Sequence, residues 1–336
     1  MFVNIEPSKK YIRIWLFLML SLIVLIITVG GLTRLTDSGL SITEWELFKG
    51  ILPPLNNKEW VFYFDQYKQI PEFKEINFNM SISEFKTIYY WEYIHRLLAR
   101  LIGLFSIIPL IYFYFKNKNI IYEYLKYFII FILISCQGFI GWYMVKSGLI
   151  NNTDVSHYRL ALHLSVALII LSLIFWFILE NFNVDKFDKP ISPKFLNFFL
   201  LVLIIQIILG AFLAGLNGGL LYNSWPDMNG KFLPDDILKK DLYNFRSLGN
   251  ASIIQFYHRL TGYIIVILLF FLNYFFYDLK IKFHPAIFFN FAILFQVILG
   301  ILTLITGVKI YYASLHQLGS VFVLTSFLYI YYKNTN

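Results

Sequence analysis

The sequence predicts an all-α integral membrane protein whose eight transmembrane helices form two pseudo-symmetric four-helix bundles. Three observations predict it: a composition too apolar for a water-soluble core, eight apolar runs of spanning length, and a motif repeat linking the two halves. Of 336 residues, 58% are hydrophobic, 20% aromatic and only 14% charged, whereas an average soluble domain carries about 25% charge. Mean hydropathy is +0.65.

A helix needs about 20 mostly apolar residues to cross a hydrocarbon layer of about 30 Å. Such windows fall near 12–30, 91–115, 125–145, 158–180, 195–216, 254–277, 285–306 and 312–332. The first run, Tyr11 to Val29, is long and has no small-residue cleavage site, so it reads as a span and not as a signal peptide. The missing basic leader points to a bacterial plasma (inner) membrane over a mitochondrion. The net charge of +8 is scattered between the apolar runs, which argues against nucleic acid and for orientation of the helices in lipid. Lys9, Lys10 and Arg13, then Lys116, Lys118 and Lys126, then Lys186, Lys189 and Lys194, then Lys280 and Lys282 all fall on one side. Both termini are therefore expected in the cytoplasm.

Two long outer connections, 31–90 and 216–252, are long enough to be lids or small subdomains. The first belongs to an N-terminal half, 1–185, and the second to a C-terminal half, 186–336. The halves repeat. Tyr93-Ile94-His95-Arg96-Leu97 opens the second span and Phe256-Tyr257-His258-Arg259-Leu260 the sixth. A glutamine followed four residues later by glycine marks the third (Gln137, Gly141), fifth (Gln206, Gly210) and seventh (Gln296, Gly300) spans. Gly138, beside the first of these, is grouped with Gly141, Gly210 and Gly300 as packing residues that let helices or a flat ligand approach. His163 and His316 come early in the fourth and eighth spans. Each half thus places a histidine on its second and fourth helix. With four spans per half, the repeat is parallel.

Six histidines are present. His157, in an outer connection, and His284, beside Pro285, read as solvated interfacial residues. The other four lie inside helices, where polar side chains normally face a bundle interior. Each comes about four to six residues into its predicted span, so all four fall at one depth near the outer face. Imidazoles at matched depth on neighbouring parallel helices can approach a planar macrocycle from both sides, the axial arrangement of heme iron. Zinc fits less well, because no carboxylate or thiolate joins either pair. The single cysteine, Cys136, excludes an intramolecular disulfide and a cysteine metal site.

Arg96 and Arg259 follow histidines. They are membrane-interface anchors or, in a functional reading, partners of heme propionates. One position separates the halves: three residues before the histidine stand Glu92 in the first half and Gln255 in the second. A carboxylate can move protons and an amide cannot, so the first half is expected to host reaction and the second a standing cofactor. For Glu92 the plain alternative is an exposed acid at a helix N-terminus.

Several runs resemble the heme A synthase family, in the form shared by alphaproteobacteria and mitochondria. They are Gly30-Gly31-Leu32-Thr33-Arg34-Leu35-Thr36-Asp37-Ser38-Gly39-Leu40-Ser41 with Glu44-Trp45, Pro53-Pro54-Leu55-Asn56, Pro71-Glu72-Phe73-Lys74 and Trp91-Glu92-Tyr93-Ile94-His95-Arg96. Tyr222-Asn223-Ser224-Trp225-Pro226-Asp227-Met228, Phe256-Tyr257-His258-Arg259 and Leu315-His316-Gln317 extend the likeness over nearly the whole chain. The resemblance implies a membrane-bound oxidoreductase that oxidises the C8 methyl of heme O to the formyl group of heme A by two successive hydroxylations. It implies that His258 and His316 ligate a resident heme b, that His95 and His163 face the heme O substrate, and that Glu92 is the acid beside it. Implied partners are heme O synthase, cytochrome c oxidase assembly factors and an electron-transfer partner the sequence does not identify. Some bacterial members carry cysteine pairs in their outer loops; none occurs here, which excludes a thiol relay within this chain. The alternatives are a di-heme cytochrome b-like electron carrier and a heme-delivery protein.

Overall fold

The computed structural model describes residues 7–45, 49–116, 121–149, 153–234, 236–238 and 240–335. Lys118, counted above among the orienting charges, lies outside them. The described residues are helical and contain no strand, only an isolated bridge between Met228 and Lys231. Among the described residues eight helices are long and apolar enough to cross a membrane, so the chain is a multi-pass membrane protein. It divides into two compact units, Met1–Ile174 and Phe175–Asn336.

The first unit holds α1 (Pro7–Leu35), α2 (Asn57–Tyr67), α3 (Pro71–Glu75), α4 (Ile82–Lys116), α5 (Ile121–Gly148) and the start of α6 (His157–Asn181). α1 packs on α4, and α4 on α5. Trp15 fastens the three by donating its indole N–H to the Phe105 carbonyl at 2.7 Å and meeting Tyr127 edge-on. The long connection between α1 and α4 is a small folded cap. Asn56 accepts from the Glu59 N–H while Glu59 accepts from the Leu55 N–H, so α2 starts on a reciprocal cap. Pro71 supplies the first turn of α3. Trp60, Phe64, Tyr67, Phe85 and Tyr89 are buried with Leu40 and Ile42 into one cluster.

α4 is longer than its apolar window because its first turns leave the apolar stretch and pack on this cap. Ser81 and Glu84 exchange hydrogen bonds at its start, and Phe85 and Tyr89 face the cap. His95 is consequently the fourteenth residue of α4, not the fourth to sixth of a span. His163, His258 and His316 fall on the second turn of their helices. His157, expected in a connection, is the first residue of α6.

The second unit holds α7 (Pro193–Gly215), α8 (Ala251–Asp278), α9 (His284–Ile305) and α10 (Ile310–Asn334). α7 meets α8, α8 meets α9, α9 meets α10 and α10 meets α7, so the four close into a ring. Asn250 caps α8 by accepting from Ser252 and Ile253 N–H groups. One end of the ring is solid: Phe199, Phe289 and Phe327 touch in a triangle with centroids 5.0 to 5.5 Å apart. Leu272, Phe276 and Ile330 fill the space around them. The other end, where α8 and α10 begin, carries the histidines.

Candidate heme-binding site

Each of the four intramembrane histidines lies against a glycine of the preceding long helix. A Cβ built on Gly30 of α1 would come within 2.8 Å of the His95 ring, and one on Gly141 of α5 within 3.0 Å of His163. In the second unit the corresponding approaches are 3.2 Å from Gly210 to His258 and 2.9 Å from Gly300 to His316. Real Cβ contacts are almost never shorter than 3.0 Å, so a side chain at Gly30 or Gly300 would displace the imidazole, while one at Gly141 or Gly210 would crowd it. Gly138, grouped with these by sequence, faces open space.

The glutamines secure the same helix pairs. Gln137 Nε2 donates to the His163 carbonyl and Gln296 Nε2 to the His316 carbonyl, both at 2.9 Å. Gln206 differs, with its amide nitrogen 3.4 Å from Nε2 of the His258 ring. A Cβ at Gly319 would lie 2.1 Å from the Gln296 amide oxygen, so a side chain there would make the glutamine move.

Nδ1 is buried without a hydrogen-bond partner in all four histidines, an uncommon state for buried polar atoms. His258 and His316 have ring centroids 6.4 Å apart and planes at 82°. Two imidazoles bound on opposite sides of one metal ion through bonds of about 2.0–2.1 Å hold their ring centres roughly 6 Å apart. The pair therefore fits the axial ligands of a heme iron, with glycine behind each ring. His95 and His163 are within electrostatic reach of each other in the first unit.

Glu92 is 3% exposed. Its Oε2 accepts from the Ser41 hydroxyl at 2.7 Å and the Ile42 N–H at 2.8 Å; its Oε1 accepts from Arg96 Nε at 2.9 Å and Nη2 at 2.6 Å. The exposed helix-end acid that the sequence also allowed is thereby excluded. Arg96 also donates to the Ile42 and Glu44 carbonyls, so one arginine ties the carboxylate to the cap. Gln255, 1% exposed, donates to the Tyr222 carbonyl. Arg259 donates to the carbonyls of Tyr222, Ser224 and Asp227 and keeps Nε without a partner. That second connection is itself held by a Ser224–Asp227 turn, where hydrogen bonds from Ser224 and Gly230 hold the Asp227 carboxyl below its usual range.

Two features of the site carry no recognisable pattern in the sequence. Gly30 is a histidine-facing glycine like the other three, but Ile26 stands where the others have glutamine. The burial of Glu72, 5% exposed inside the cap, had no local signature.

Comparison with known proteins agrees over the whole chain. The family described as cytochrome oxidase assembly protein matches residues 13–328. A protein of Pelagibacter ubique (strain HTCC1062) named heme A synthase is 57% identical over 336 residues, all of both chains. One of the same name from Rickettsia felis (strain ATCC VR-1525 / URRWXCal2) is 42% identical over 339 residues, 97% of this chain and 98% of that one. Another, from Rickettsia africae (strain ESF-5), is 41% identical with the same coverage.

Proposed function

Because this chain belongs to the heme A synthase family, we propose that it oxidises the C8 methyl of heme O to the formyl group of heme A in the bacterial plasma membrane. The observation that carries this reading is the His258–His316 pair, 6.4 Å between ring centres and backed by Gly210 and Gly300. These two residues hold a resident heme b, which supplies electron transfer when bound. His95 and His163 hold the heme O substrate in the first unit, with Gly30 and Gly141 giving the rings room.

Glu92 is the acid–base residue of the substrate site. The second hydroxylation leaves a geminal diol. Its collapse to an aldehyde requires that a proton leave one hydroxyl and that another reach the departing one. A carboxylate at this position takes the first and returns the second, so the sum is loss of one water. Arg96 positions Glu92 by its two-nitrogen contact and keeps the α1–α4 connection closed over it. Arg259, whose Nε is left without a partner by its loop carbonyls, would pair with a propionate of the resident heme; Arg96 takes that part in the substrate half only by loosening a loop contact.

In this reading both termini are cytoplasmic and both long connections lie on the outer side. Heme O synthase supplies the substrate, and cytochrome c oxidase assembly factors take the product. The test is conversion: the purified protein supplied with heme O and an electron-transfer partner yields heme A, identified by mass spectrometry of extracted hemes. Two unmodified hemes and no conversion would instead mark a cytochrome b-like electron carrier.

A further inference from the structure

We propose that Glu72 is a second proton-carrying carboxyl of the first unit, relaying protons between Glu92 and the water outside the cap; this rests on the role given above to Glu92. Glu72 lies on α3, inside the folded connection, 5% exposed. Its Oε2 is buried and has no hydrogen-bond partner among the described residues. The Tyr67 hydroxyl, which accepts from Asn77 at 2.8 Å, is the side-chain neighbour of the carboxyl.

The cap links the two acids. Ile42, whose N–H donates to Glu92, belongs by its side chain to the cluster that buries Tyr67, with Phe73 of α3 packed against it. The charged and titratable groups facing Glu72 are Tyr67 from α2, Glu92 from α4, Asp37 from the turn after α1 and Asp154 from the segment before α6. Arg96 pairs with Glu92 and Arg34 with Asp37. Asp37 and Asp154 are exposed, so the group lies between a buried site and water.

Burial first, then the carboxylates of Glu92, Asp37 and Asp154, push the Glu72 acid from 4.5 up to about 8. It therefore rests protonated at neutral pH. In one cycle Glu72 releases its proton to the water beyond Asp37 and Asp154 and takes up the one that Glu92 has removed from the substrate; the reverse passage then brings a proton from water through Glu72 to Glu92 for the departing hydroxyl. No proton is moved overall, both carboxyls end as they began, and no oxidant or reductant is involved.

The test uses the full-length protein with its hemes. Infrared spectra follow the carbonyl stretch of a protonated carboxylic acid against pH in wild type, Glu72→Gln, Tyr67→Phe and Glu92→Gln. Wild type is expected to lose such a band near pH 8, and Glu72→Gln to lack it. Glu92→Gln should lower that titration by removing a repelling charge, and Tyr67→Phe should raise it by removing a group that favours the ionised form. Heme A formation in wild type should rise through pH 8, whereas Glu72→Gln should run at least about tenfold slower at pH 7 with no transition there. A band absent from wild type, a titration that Glu92→Gln leaves in place, or a Glu72→Gln pH profile that overlays wild type overturns the relay. Full turnover by Glu92→Gln is a different failure and removes the Glu92 reading itself.

Discussion

At the same step before an intramembrane histidine, the two units solve one packing problem with opposite chemistry. In the first, Glu92 accepts four hydrogen bonds, from a serine, a backbone N–H and both contacting nitrogens of Arg96. In the second, Gln255 and Arg259 both donate, and loop carbonyls accept. Each arrangement pins a long connection to the helix that carries the histidine. Only the first places a carboxyl there. The difference teaches that the connection needs an anchor and that the anchor need not be an acid. Under the proposed function the acid at position 92 serves chemistry as well as anchoring.

The sharpest way to break this contrast is to remove a ligand from each unit. His258→Ala or His316→Ala is expected to abolish the resident heme b, read by mass spectrometry of extracted hemes, while His95→Ala or His163→Ala keeps it and loses heme O. Equal loss in all four would erase the division of labour. Next in size is Glu92→Gln, which installs the second unit's residue in the first. Heme b should be retained, and heme A formation should fall by about 10²–10⁴-fold, the range for a lost general acid–base group.

A smaller effect follows from the glycines. Alanine at Gly30 or Gly300 meets an imidazole at 2.8 or 2.9 Å, whereas alanine at Gly210 meets one at 3.2 Å. Gly300→Ala should therefore release heme b faster than Gly210→Ala, measured as dissociation to a heme acceptor. The smallest effect concerns the cap. The fold favours the neutral form of Glu72, so its contribution to stability is fully present below pH 4.5 and is lost as pH rises through about 8. Thermal unfolding between pH 5 and 9 should show this slope in wild type and a flatter one in Glu72→Gln.

Local patterns carried much of this into view. Eight apolar runs, four helical histidines and the Glu92/Gln255 contrast depend on residues a few positions apart, and the helices appear where those runs predicted them. What escaped depends on contacts across long stretches of chain. Ser41 and Ile42 reach Glu92 across half a hundred residues, so no window could reveal that the carboxylate is covered. α4 begins outside its apolar window because the cap gives Phe85 and Tyr89 an apolar neighbour that hydropathy attributes to lipid. Gly30 lacked the glutamine that flagged its three counterparts.

The phenylalanine triangle of Phe199, Phe289 and Phe327 acts as a stopper at one end of the second unit. A ring of helices already sealed at its base can stand open at its neck, and a planar pigment can be slipped in afterwards without dismantling the vessel. Such loading would put assembly of this unit before uptake of its cofactor. A chain with both His258 and His316 replaced by alanine should still reach the bilayer as an empty cup and not as debris for proteases.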